Sequence, residues 1–384
     1  MTPAARVAAA IAVLDRILQG QPAEQALTNW GRASRYAGSG DRAALRDLVF
    51  GALRCRRSFA VLGGAETGRG LMIGALRAAG ADPGAVFTGI GHAPAPVAGA
   101  EAGSVPQRLA ALDCPEWLGP PLQASLGPNF APVMRLLQQR APVFVRVNLA
   151  RGSRDAAVAA LADEGIEAVA HPLAATALEL REGARKLHGT RAFVDGLVDL
   201  QDAASQAVVM DLPVAAGARV LDYCAGGGGK ALALADRGAG VLAHDHDPRR
   251  MRDLPVRAER AGVSIALADG AAVVRAAPYD LVLLDVPCSG SGSWRRSPEA
   301  KWALTPARLA DLLALQSGIL DQTCGWVAPG GVLAYVTCSL LDAENAMQIE
   351  GFLARKPGWA LRKKRSLTPV DGGDGFFLAL LSRE

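Results

Sequence analysis

Two cysteines stand where a thiol could do chemistry. Cys288 closes the run Leu281-Val-Leu-Leu-Asp285-Val-Pro287-Cys288, and Cys338 closes Tyr335-Val-Thr-Cys338 fifty residues further on. Each follows an apolar, β-favouring stretch, the pattern of a buried strand that delivers polar groups at its carboxyl end. A lone cysteine of this kind is more often an inert core residue. Two at neighbouring strand ends, one preceded by Asp285-Val-Pro, reverse that expectation. A thiol and a carboxylic acid are the minimum set for covalent activation of a pyrimidine ring. A thiolate adding at carbon 6 of cytosine makes carbon 5 nucleophilic toward a methyl sulfonium, while an acid at ring nitrogen 3 offsets the charge. A base must then remove the carbon 5 proton, and a second thiol could help there.

The elements that must position these groups are legible from residue 201 onward. Strand patterns at 220–223, 241–245, 265–268, 281–285 and 332–337 alternate with helical segments, which predicts a parallel, doubly wound sheet. Asp247-Pro248 and Thr305-Pro306 each place a capping residue before a proline, marking two helix starts. Patterns at 359–362 and 376–381, separated by a turn-rich segment, predict an antiparallel pair closing the sheet. In open α/β sheets, ligands bind at the carboxyl ends of the strands.

The first strand runs into a glycine-rich turn, Cys224, Ala225, Gly226, Gly227, Gly228, Gly229 and Lys230. Glycines let backbone approach a ligand closely. Asp245 ends the second strand, where a carboxylate can accept from ribose hydroxyls, and Asp269 ends the third, within reach of an adenine amino group. Together they predict an adenosine-type cofactor. The absence of a G-x-G-x-x-G pattern and of any hydride-transfer constellation favours S-adenosylmethionine over a nicotinamide. Lys230 could contact substrate or simply be solvated. Overall the pattern is that of an α/β class I S-adenosylmethionine-dependent methyltransferase, a Rossmann-like doubly wound sheet with an antiparallel edge strand.

Three segments precede this sheet. Residues 1–88 read as a helical domain, beginning with a Thr2-Pro3 cap, and 89–140 as a Gly/Pro/Ala-rich linker followed by a helical connector. Residues 141–200 read as a small α+β module, with a strand at 143–148, a helix at 154–164 and short strands beyond. The catalytic domain is 201–384.

Composition bounds the rest. Among 384 residues, 41 basic against 37 acidic side chains give a net charge of +4, which does not by itself establish a nucleic-acid partner. Six scattered cysteines without a Cys-x-x-Cys indicate neither a zinc site nor a disulfide framework, so no metal is expected. No segment reaches the roughly 18 uninterrupted apolar residues of a membrane span. Arg6, Asp15 and Arg16 interrupt the first apolar run, which suits a helix better than a signal peptide. A cytoplasmic monomer without membrane partners is expected.

From residue 143 to the C-terminus the chain resembles the RNA cytosine-C5 methyltransferase family of the bacterial RsmB and Sun type. The resemblance rests on Arg146-Val-Asn148, Gln201-Asp-Ala-Ala-Ser-Gln206, the Cys224 to Lys230 loop, Asp285-Val-Pro-Cys288-Ser-Gly, Arg295-Arg296-Ser-Pro, Lys301-Trp302, Thr337-Cys-Ser339, Glu344-Asn345 and Asp374-Gly-Phe-Phe377, in order. It implies that Cys338 is the nucleophile, that Cys288 assists proton removal and product release, and that Asp285 contacts both the methyl-donor end of the cofactor site and the cytosine. It also implies RNA contacts by Arg146 and Asn148. Arg295 and Arg296, beside the catalytic loop, are candidate phosphate contacts. The cluster Arg362-Lys-Lys-Arg365 could serve likewise or be solvated. Trp294 and Trp302 are expected to pack the loop rather than stack a base. One departure stands out: the family loop commonly has Ala-Pro where Gly226-Gly227 stand, so a more flexible cofactor loop is expected.

The N-terminal helices resemble, more loosely, a NusB-like RNA-binding domain, best over residues 41–54, which favours ribosomal RNA over transfer RNA. The alternatives are a transfer-RNA methyltransferase, a non-catalytic RNA-binding assembly factor on this fold, and, more weakly, a nicotinamide-dependent oxidoreductase.

Overall fold

A computed structural model of the protein describes residues 1–383. The chain divides into two compact units, Met1–Arg140 with Trp294–Ala303, and Ala141–Ser293 with the chain from Leu304 onward. The first contains α1 (Pro3–Leu18), α2 (Ala23–Ala33), α3 (Ser39–Arg54), α4 (Arg56–Gly63), α5 (Gly68–Ala78), α6 (Arg108–Ala111), α7 (Gly119–Leu126) and α8 (Phe130–Leu137). Thr2 caps α1 by accepting from the Ala5 amide, with Pro3 in the first turn. Val7, Leu14, Leu45, Val49 and Leu71 recur at helical spacing and meet in one core.

The second unit opens with a small sheet, β1 (Val143–Val147), α9 (Arg154–Asp163), β2 (Glu167–Ala170), β3 (Ala177–Glu182), α10 (Arg191–Val194) and β4 (Val198–Leu200). Its order is β2-β3-β1-β4, with antiparallel neighbours. There follow α11 (Ala203–Met210), β5 (Arg219–Asp222), α12 (Gly229–Ala235), β6 (Gly240–Ala243), α13 (Leu254–Ala261), β7 (Ile265–Leu267), α14 (Gly270–Ala276) and β8 (Tyr279–Asp285). After α15 (Pro298–Ala303), which belongs to the helical unit, come α16 (Pro306–Thr323), β9 (Val327–Thr337), α17 (Ala346–Arg355), β10 (Trp359–Leu367) and β11 (Phe376–Arg383).

The large sheet has the order β10-β11-β9-β8-β5-β6-β7. The five strands from β9 to β7 are parallel, and β11 runs against both β9 and β10. The expected antiparallel pair is present, with its reversed strand one place in from the edge. The crossover through α17 leaves a gap one strand wide, and the short turn after β10 folds β11 back into it. Apolar side chains bury on both faces, as continuous apolar runs in parallel strands require.

Arg146 and Asn148 do not face RNA, contrary to what the resemblance implies. They are 4% and 2% exposed. Arg146 ion-pairs at 2.7 Å with Asp236, which caps the C-terminal end of α12, and the Asn148 amide donates at 2.8 Å to the Ala261 carbonyl at the end of α13. Carbonyls of a last helical turn lack partners within the helix, so the donor satisfies one of them. Both side chains tie the small sheet to helices of the large one.

Arg295 is likewise no phosphate contact, being 3% exposed. It lies in the segment Trp294–Ala303, which packs in the helical unit. There the Trp302 indole donates to Leu53 O at 2.7 Å and the Lys301 ammonium to Arg54 O at 3.3 Å, at the C-terminal end of α3. The Glu299 carboxylate accepts from the Ala23 amide at 2.8 Å, at the start of α2. A cation thus meets the negative end of one helix dipole and an anion the positive end of another. Trp294 is buried, and both tryptophans pack rather than present a face for stacking.

Candidate active site

β8 and β9 pair in parallel with Asp285 opposite Val336, so the residues just beyond, Cys288 and Cys338, emerge at one rim. Their sulfurs lie 3.4 Å apart. The Cys288 thiol is pushed well above its ordinary value by its hydrogen bond with Cys338, with burial adding to the shift. It therefore keeps its proton and can donate it toward Cys338. Three of the other four thiols are held protonated: burial pushes Cys55 up to about 12 and Cys114 up to about 11, and Cys224 is raised by burial and by Asp222.

A buried carboxylate holds the two cysteine loops together. Glu344 Oε1 accepts from the Ser289 amide at 2.7 Å and from Gln316 Nε2 at 3.0 Å. Its Oε2 accepts from the Ser289 and Ser339 hydroxyls, each at 2.5 Å. Gln316 also donates to Pro287 O at 2.9 Å, and Ser291 Oγ accepts from the Leu340 amide at 2.7 Å. With both oxygens bonded, the buried charge is compensated and the residues flanking Cys288 and Cys338 are fixed to one anchor. Glycine is required at 292, because a Cβ there would stand 2.2 Å from Gly375 O. The glycine of Asp374-Gly-Phe-Phe is required in turn, because a Cβ at 375 would stand 2.6 Å from Leu340 Cδ2 and 2.8 Å from Gly292 Cα. Sequence reading quoted Glu344 within a motif without giving it a role; nothing in its local pattern shows that its partners lie near residues 289 and 316.

Lys230 is not solvated. Its ammonium bonds Asp285 Oδ2 at 2.6 Å. Burial pulls its pKa down, but the Asp285 charge, its hydrogen bond and then Cys338 outweigh this and hold the ammonium above its usual value. Asp222, at the end of β5, is a second residue that sequence reading passed over. It is buried, neither carboxylate oxygen has a partner of normal geometry, and its pKa is pushed up to about 7 by burial and then by Asp285.

The residues expected to hold a cofactor gather at the adjoining strand ends. Gly226 takes a left-handed conformation (φ 53°) and its amide donates to Asp245 Oδ2 at 2.9 Å. Gly228 (φ 77°) precedes α12, and a Cβ there would stand 2.2 Å from Leu254 Cδ1. Asp245 is 4% exposed and pairs at 3.0 Å with Arg250, whose side chain is 56% exposed. Asp269 caps α14 through one oxygen, accepting from Ala272 N at 2.7 Å. A bare glycine turn, orphaned buried carboxylate oxygens on Asp222 and carboxylates at two further strand ends fit a ligand with an ammonium, a ribose and an adenine. Among the described residues no cluster of His, Cys, Asp or Glu could hold a metal, and no helix is long and apolar enough to cross a membrane.

Comparison with known proteins agrees with this arrangement. A profile described as "16S rRNA methyltransferase RsmB/F" matches residues 209–382, and one described as "Methyltr_RsmF/B-like, ferredoxin-like domain" matches residues 114–185. Proteins named ribosomal RNA small subunit methyltransferase B from Klebsiella pneumoniae subsp. pneumoniae and Salmonella arizonae are 35% and 34% identical over 70% of this chain. The chain spans 65% and 66% of the length of those two relatives. Among solved structures, PH0851 has a TM-score of 0.78 at 23% identity, covering 100% of this chain and 99% of that one. A methyltransferase homologue from Pyrococcus horikoshii has a TM-score of 0.63 at 24% identity, covering 72% and 97%. The first profile spans the sheet that carries both thiols, the second reaches into the small sheet braced against α12 and α13, and the chain belongs to the RsmB/F methyltransferase family.

Proposed function

We propose that the protein is an S-adenosylmethionine-dependent RNA methyltransferase that forms 5-methylcytosine in small-subunit ribosomal RNA, with Cys338 as covalent nucleophile. The observation that carries this reading is the pair of sulfurs 3.4 Å apart at the ends of adjacent parallel strands, beside the Lys230–Asp285 ion pair. When bound, S-adenosylmethionine supplies the electrophilic methyl group that carbon 5 takes up. The loop from Cys224 to Lys230, with Asp245 and Asp269, would hold it, Asp245 accepting from the ribose hydroxyls in place of Arg250.

The Cys338 thiolate adds to cytosine carbon 6, and the Lys230 ammonium provides a positive field at that sulfur. Asp285 relays a proton from the Lys230 ammonium to ring nitrogen 3, which offsets the charge that develops there. Loss of the carbon 5 proton then expels Cys338 and restores the ring. Cys288 passes its proton to the departing Cys338 sulfur 3.4 Å away and, as the thiolate so formed, takes up the carbon 5 proton. The target base must be unpaired or flipped out, because a stacked pair hides carbons 5 and 6.

The helical unit supports an RNA substrate. A hollow of about 730 Å³ beside α2 and α3 is lined by Arg32, Arg35, Arg42, Arg46 and Trp30, with Tyr36 nearby and 75% exposed. Guanidiniums beside exposed aromatics suit single-stranded RNA. Arg296 is exposed and remains a candidate phosphate contact. In the second basic cluster, Lys363 and Arg365 are engaged internally, each meeting Asp211 at 2.7 Å. Bisulfite sequencing of RNA from cells with and without the gene tests the reading. A small-subunit cytosine that resists conversion only when the gene is present is expected. A transfer-RNA cytosine would correct the substrate, and no differing cytosine would overturn the activity.

A further inference from the structure

Gly226 to Gly229 are four consecutive glycines, a sequence that loses more backbone freedom on ordering than any other. Such a loop needs something outside itself to hold its shape. The middle of the run is held by a guanidinium. Arg257, on α13, donates through Nη1 to the Gly227 carbonyl, and through Nη2 to Asp199 Oδ2 at 2.7 Å. Asp199 lies on β4 of the small sheet, and its other oxygen accepts from Arg260 Nη2 at 2.8 Å. The chain Gly227, Arg257, Asp199 therefore runs from the cofactor loop to the edge strand of the small sheet, which Asn148, at the end of β1, also ties to the end of α13 at 2.8 Å. A Cβ at residue 227 would stand 3.3 Å from Arg257 Nη1, and the φ of Gly227 lies outside the left-handed region. A side chain at 227 would therefore push the Arg257 guanidinium aside by a few tenths of an ångström, while the backbone itself does not demand glycine there.

We propose that Arg257 is a positioning residue that sets affinity for the cofactor from outside the site, by clamping the Gly227 carbonyl to Asp199. This rests on the S-adenosylmethionine reading above. Binding of S-adenosylhomocysteine to the purified full-length protein, measured by calorimetry, separates the two claims. If the wild-type protein does not bind it, the cofactor reading falls and the clamp with it. If the wild type binds and Arg257→Ala binds equally well, only the clamp falls.

The expected result is binding weaker by about tenfold in Arg257→Ala, the scale of one charge-assisted hydrogen bond. A loss in the same direction is expected in Asp199→Asn, which leaves the loop untouched. Gly227→Ala supplies a readout that a merely structural role would not move. With Arg257 present the added methyl crowds the clamp and binding weakens. With Arg257→Ala the space is open, the alanine restricts the loop, and binding strengthens relative to Arg257→Ala alone. An effect of the same sign in both backgrounds overturns the proposal. Should Arg257→Ala fail to fold, Arg257→Lys, which can reach one partner but not both, and Asp199→Asn give the same test.

Discussion

Glu344 Oε2 accepts from the hydroxyls of both Ser289 and Ser339, so one carboxylate oxygen joins the residues that follow Cys288 and Cys338. Glu344→Ala leaves those hydroxyls, the Ser289 amide and Gln316 without their acceptor. We expect a loss of about 3 kcal/mol or more of stability, from several buried donors left unpaired. Glu344→Gln keeps the shape, and its amide can still accept through one oxygen. It should fold with a smaller loss of Tm and bind S-adenosylhomocysteine normally, yet methylate at least about tenfold more slowly as the thiols lose alignment. Unchanged kcat in a folded Glu344→Gln protein would refute the anchoring role.

Cys338→Ala should abolish methyl transfer while leaving S-adenosylhomocysteine binding intact. Cys288→Ala should instead accumulate a denaturant-resistant protein–RNA adduct, because attack proceeds and release does not. Gel mobility with labelled RNA checks both. An adduct in Cys338→Ala, or normal turnover in Cys288→Ala without one, reverses the assignment.

Asp222 has its folded pKa raised from 3.8 to about 7 by burial and Asp285. Between these values the folded protein binds a proton that the unfolded chain does not, so this group makes stability fall as pH rises from about 4 to about 7. Above that range its full penalty persists. Asp222→Asn should therefore raise Tm relative to wild type at pH 8 and much less at pH 5. A difference independent of pH would place the proton elsewhere.

Lys301 is 1% exposed, and burial lowers its pKa to about 8, opposed by the nearby Asp113 charge. Lys301→Met removes the ammonium and leaves the buried Asp113 without it, which should cost about 3 kcal/mol. Trp302→Phe loses only the bond to Leu53 O and should cost about 1 kcal/mol. Denaturant midpoints distinguish the two, and an equal small loss in both would show that Lys301 is not the counter-charge.

Arg146→Ala and Asn148→Ala should lower stability without changing the salt dependence of RNA affinity. Replacing Arg32, Arg35 or Arg42 should do the opposite, each reducing the slope of log K against log salt by about 1. RNA titrations at several salt concentrations decide between buried ties and phosphate contacts.

Read as a sequence, this protein already discloses its sheet and the site at its rim. Apolar runs that end on Asp245 and Asp285 read as strands delivering carboxylates to one edge, the second of them continuing to Cys288, and one more run ends at Cys338. That information is local, since strand period and turn chemistry are set by neighbouring residues. Tertiary structure alone decides which polar groups face solvent and which are consumed. Arg146 meets Asp236 ninety positions away, Glu344 meets Ser289 fifty-five positions away, and Lys301 meets Arg54 across 247. No local pattern separates an arginine waiting for phosphate from one already paired. Desolvation makes that pairing obligatory once the side chain is buried, and burial is a property of the assembled fold.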